Sequence, residues 1–137
     1  MRYKILMLML AIVLIGAVLI SCETAPDLMP VKPYPQAAYP WCDRDEEGLY
    51  VHVKNVGTGD AGASTTRVEF RWGGGGNQTV DKSTPAIPKG NTTIVGPFAI
   101  PALCWDMDCD FTITVDINGQ VTELFEDNNS ADGVCLG

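Results

Sequence analysis

Residues 111–116 alternate apolar and polar side chains, with Phe111, Ile113 and Val115 set against Thr112, Thr114 and Asp116. A period of two belongs to a strand with one face buried and one wet, so the chain must supply a second apolar face to close over it. Asn118 and Gly119 follow, residue types that tolerate positive φ in a tight reversal, and a polar run then ends in Asn128 and Asn129. The same alternation recurs at 49–55, where Leu49, Val51 and Val53 face one way and Tyr50, His52 and Lys54 the other. It recurs again at 65–72, with Val68, Phe70 and Trp72 on one face. Residues 78–82 read as a short polar edge strand, and 91–100 as a strand bent at Gly96-Pro97. Short strands with frequent turns, and no helical periodicity beyond the N-terminal region, predict an all-β fold built as an antiparallel sandwich.

The first 21 residues read as something else. Arg2 and Lys4 precede an unbroken apolar run at 5–20, too short for a typical membrane span but suited to the core of a secretory signal. Leu19-Ile20-Ser21-Cys22 then resembles the lipobox of bacterial lipoproteins, in which the cysteine thiol takes a diacylglycerol and cleavage leaves it as the new N-terminus. The expected organisation is therefore a signal peptide at 1–21, a lipidated proline-rich tether at 22–40 and a folded domain at 41–137, whose first strand could start from 27. Five of the nine prolines lie in the tether, where fixed φ and missing donors favour an extended, semi-rigid chain. Without Arg2 and Lys4, 7 basic residues face 17 acidic ones. A surface this acidic repels nucleic acid and anionic head groups, so membrane attachment would fall to the lipid on Cys22.

Four cysteines remain: Cys42, Cys104, Cys109 and Cys135. An even number in a small exported domain reads as two disulfides, and three connectivities are open. The four residues between Cys104 and Cys109 favour a local staple, with Cys42 joined to Cys135. Cys42 with Cys104 and Cys109 with Cys135 is the competing pair. Zinc is disfavoured because no C-x-x-C pair is present and His52, the lone histidine, is remote from the cysteines in sequence.

Val53-Lys54-Asn55-Val56-Gly57, followed later by V-D-x-x-x-x-V-x-E-x-x-E-x-N-N over 115–129, resembles the CARDB family. These are immunoglobulin-like domains of bacterial surface and secreted proteins, named for a suspected role in cell adhesion. The resemblance implies that Asn55, Gly57, Asp116, Glu123, Glu126, Asn128 and Asn129 are family framework. It also implies that 27–31 is the first strand, which makes an immunoglobulin-like antiparallel sandwich of seven strands. The family role is binding, adhesion or scaffolding without catalysis, toward an envelope or extracellular protein or a glycan. The alternative is a carbohydrate-binding or protease-regulating accessory subunit of an envelope enzyme.

Enzymatic chemistry finds little footing. His52 has no nucleophile visibly paired with it, and Glu123, Glu126 and Asp127 share one loop rather than facing each other across a cleft. The glycine run at 73–77 lacks the Lys-Ser/Thr and the helix of a phosphate loop, and reads as a flexible connection. Asp106, Asp108 and Asp110 alternate as in a calcium loop, but Phe111 and Ile117 occupy the positions where that loop needs glycine and glutamate. No metal or cofactor is expected. Strand alternation gathers the four cysteines at one end of the sandwich, facing away from the membrane, where Trp105 is the aromatic expected to contact a partner.

Overall fold

The computed structural model describes residues 23–105 and 109–135, with the side chain of Trp105 left out. Cys22, the expected lipidation site, lies outside the described residues. The strands are β1 (Leu28–Val31), β2 (Asp43–Arg44), β3 (Leu49–Asn55), β4 (Ser64–Trp72), β5 (Gly76–Thr84), β6 (Thr92–Phe98), β7 (Cys109–Thr114) and β8 (Ser130–Cys135). A single helical turn, α1 (Ala102–Trp105), precedes β7. These are the seven expected strands plus the two-residue β2.

Two antiparallel sheets face each other. In the first, β3 is flanked by β6 on one side and by β1 and β2 on the other. The second runs β5-β4-β7-β8. Alternation does the sorting that the sequence pattern predicts: Leu49, Val51 and Val53 of β3 are buried against Val68 and Phe70 of β4 and Phe111 and Ile113 of β7. Phe70 and Phe111 are direct cross-strand partners, their rings tilted with centroids 6.2 Å apart. Gly96 and Pro97 shift the β3–β6 register between Leu49 and Val51, which is the bend expected there.

Three local expectations need correction. The proline-rich segment is not a free tether over 23–40. Leu28–Val31 pairs with β3, and the prolines beyond it lie in a closed loop tied by hydrogen bonds from Tyr34 N–H to the Pro40 carbonyl (3.2 Å) and from Ala37 N–H to the Tyr34 carbonyl (3.0 Å). Edge position makes this affordable, because β1 has a neighbour on one side alone. The glycine run is no loose connection either: it is the hairpin turn from β4 to β5, with Trp72 paired to Gly76 and positive φ at Gly74 and Gly75. Trp72 itself is half-buried at the rim of the core, its indole lying over Gly76 where any Cβ would collide with it. Its cross-strand neighbour is Cys109 of the Cys104–Cys109 bridge, and at this rim position the tryptophan closes the hairpin instead of filling the centre.

Two disulfides lie at one end. Cys42–Cys135 links the chain just before β2 to the end of β8, across the two sheets, with Cα atoms 5.4 Å apart. Cys104–Cys109 closes α1 onto β7, with Cα atoms 5.1 Å apart. Cys109 and Cys135 are cross-strand neighbours, so all four cysteines share that end.

Candidate functional site

At the opposite end, the loops 56–63 and 115–129 converge on the residues that lead into β1. Asn55 ends β3 on its buried face and is completely enclosed. Its Oδ1 accepts from Asp27 N–H and Gly57 N–H (both 3.1 Å), and its Nδ2 donates to the carbonyls of Gly59 and Ile87 (both 2.9 Å). One amide thereby bonds four backbone groups, of which the Ile87 carbonyl also accepts from Ala61 N–H across an isolated bridge. Gly57 is needed for approach: a Cβ there would run into the backbone of Ala25, Pro26 and Asp27.

The second loop grips β1 from its other side. Glu123 Oε1 accepts from Leu28 N–H (2.7 Å), Glu123 Oε2 accepts from Asn129 Nδ2, and Glu126 Oε1 accepts from Glu123 N–H (3.1 Å). Asn128 Nδ2 donates to Asp27 Oδ1 (2.7 Å). Asp116 turns the chain with φ 48°, its two carboxylate oxygens accepting from Gln120 N–H and Val121 N–H (both 2.9 Å). Burial pushes the Glu123 carboxyl above the ordinary glutamate value, against the pull of its hydrogen bonds from Asn129 and Leu28, and the nearby charges of Glu126 and Asp116 push the same way. The seven motif residues therefore meet as a clasp around β1. Their polar groups are spent mostly on the protein itself.

The cysteine end has a different character. Trp41, next to Cys42, separates two shallow grooves: one of about 270 Å³ bounded by Tyr39, Pro40, Gly133 and Val134, and one of about 360 Å³ along Met29, Val31, Lys32 and Pro35. The Lys32 ammonium lies 5.8 Å from the Trp41 ring centroid. Tyr34 and Tyr39 are exposed beside it, the Tyr34 hydroxyl donating to Asp43 Oδ1 (3.0 Å). A third cleft, of about 390 Å³, follows the glycine hairpin, bounded by Arg71, Trp72, Asn77 and Asp110. Arg71 is held there by Thr112 Oγ1 (2.8 Å) and lies 3.8 Å from Asp132. Trp105 belongs to α1 at this end, but its side chain, like Asp106 and Asp108, lies outside the described residues.

His52 is on the outer face of β3, where its Nε2 lies 2.7 Å from Asp43 Oδ2, a carboxylate and not a nucleophile. Among the described residues, no group of three or more histidines, cysteines or acids is arranged to hold a metal ion. No helix among them is long and apolar enough to cross a membrane. Trp41 and Tyr39, which line the grooves at this end, carry no role in the expectations drawn from sequence. The signal was available in the run 33–41, PYPQAAYPW, where aromatics and prolines crowd next to a cysteine.

The CARDB family model matches residues 25–132. Among solved structures, the chain is similar to a domain of a presumed cell surface protein from Methanosarcina acetivorans, at 22% identity and a TM-score of 0.49, covering 80% of this chain and 90% of that one. It is also similar to the CARDB domain of a Pyrococcus furiosus protein in complex with di-metal ions, at 22% identity and a TM-score of 0.42, covering 82% of this chain and 88% of that one. The comparison with curated proteins gives no match.

Proposed function

The chain belongs to the CARDB family, a family of non-catalytic, adhesion-related cell-surface domains, and on that premise we propose that it is a lipid-anchored envelope protein that binds a partner through its cysteine end. Lipid on Cys22 would hold the N-terminus at a membrane of the cell envelope, and the domain would act in adhesion or scaffolding without turning over a substrate. The observation that carries this reading is the polarity of the sandwich. The chain enters at the clasp, while the half-buried Trp41 and the exposed Tyr34 and Tyr39 crown the far end on a loop fixed by the Cys42–Cys135 bridge. Aromatic side chains on a pre-ordered loop bind at low entropic cost, which favours recognition over chemistry. Flat tyrosine and tryptophan faces beside shallow grooves suit either a protein segment or a glycan. The test has two arms. Mass analysis of the mature N-terminus should find diacylglycerol on Cys22. Capture from envelope extracts with the full chain should recover a partner that W41A/Y39A loses while still unfolding in one cooperative transition; equal recovery by both chains would remove the assignment of this surface.

A further inference from the structure

We infer that the clasp end is a foot that rests its apolar side chains on the lipid surface to which the N-terminus is attached. The inference deepens the anchoring reading above and depends on it. Val56, Leu124 and Phe125 are large apolar residues left exposed at this end, Phe125 by 60%. They sit on the two loops that grip the incoming chain. Val56 N–H donates to the Asp27 carbonyl (2.8 Å), and Leu124 N–H donates to the Pro26 carbonyl (2.9 Å). Between them the Ala25 carbonyl accepts from Thr58 N–H and Gly59 N–H (2.9 and 3.0 Å). The chain is thus pinned from residue 25 onward, which leaves three steps back to Cys22, a reach of about 10 Å at full extension. A lipid on that cysteine would hold this end within about 10 Å of the acyl chains, a little more than the depth of one head-group layer.

What surrounds the patch selects the kind of surface. Asp60, Glu126 and Asp127 are exposed at the same end and outweigh the neighbouring exposed Lys89, so anionic head groups would be repelled and a zwitterionic interface preferred. Exposed leucine and phenylalanine at a loop tip are what such an interface accepts.

The experiment uses the full chain carrying F125W, purified from membranes and reconstituted into phosphatidylcholine vesicles with or without bromine on the acyl chains. The native tryptophans are common to every sample, and wild-type protein sets their background. Brominated lipid should abolish the emission added by F125W and leave that added by I94W, on the outer face of β6, unchanged. Protein that floats with the vesicles while the F125W emission persists would overturn the foot and leave the anchor standing. Equal quenching at both positions would also overturn it, because the domain would then be lying on its side. Protein that fails to float would bring down the anchor and the foot together.

Discussion

Glu123 Oε1 accepts the backbone N–H of Leu28 at 2.7 Å, joining residues 95 positions apart in a buried contact between the first strand and the last long loop. The carboxylate serves where a ladder partner would, and its other oxygen is held by Asn129. Glu123→Ala should lower stability by about 1–3 kcal/mol, since it leaves a buried N–H unpaired. Urea denaturation would measure this, and an unchanged midpoint would show the contact to be dispensable.

The pH dependence follows from the raised carboxyl of the same residue. A folded-state value above the unfolded one means that the stability linked to this group is fully present below the unfolded glutamate value of 4.5 and is lost as pH rises through the folded value. Glu123→Gln should flatten that part of the profile. The variant retains an acceptor for Leu28 N–H, and Asn129, whose Oδ1 has no partner, can rotate to accept from the new amide. Melting temperatures across the weakly acidic range, wild type against E123Q, provide the measurement.

Asn55 should be the costliest of the motif residues to replace. Asn55→Ala removes four hydrogen bonds at once, leaving the Ile87 carbonyl its bond from Ala61 N–H, and a loss of about 3 kcal/mol or more is expected. Asn55→Asp should do no better, because it keeps the acceptor but turns a carboxylate toward the carbonyls of Gly59 and Ile87. If Asp were tolerated, the donating half of the amide would be irrelevant.

Gly57→Ala should destabilise by about 1–3 kcal/mol through overpacking against the backbone at 25–27. Gly62→Ala, where a Cβ meets open space, is the control and should be near neutral. Thermal unfolding of the two variants side by side separates close approach from a general glycine effect.

The two bridges should differ in weight. Cys42–Cys135 closes a loop with a sequence separation of 93, and its removal by C42S/C135S should cost about 4–5 kcal/mol on chain-entropy grounds. Removal of Cys104–Cys109, with a separation of 5, should cost less. Denaturant midpoints of the two double variants would rank them.

The strands were readable because alternation is a local record of which side meets the core, as at Leu49, Val51 and Val53. What the motif asparagines do was not readable. Local reasoning gives Asn128 and Asn129 neighbouring backbone as partners, whereas they reach Asp27 and Glu123, and the 101-residue separation from Asp27 to Asn128 is closed by sheet stacking, which no window of sequence contains. The prolines confine 27–31 to a sheet edge, as expected, but they do not reveal the closed loop that the chain forms beyond β1. Four glycines after Trp72 likewise suggest looseness until the indole is seen lying over Gly76.

The pairing of β1 with β3 has a mechanical meaning. Tension between the N-terminus and a partner held at the far end would run along β1, so its ladder bonds to β3 and the grips of Asn55 and Glu123 would be loaded in shear and share the force. Beyond that clamp the covalent tie from Cys42 to Cys135 stops further unravelling, so such a pull could draw out no more than the segment before residue 42.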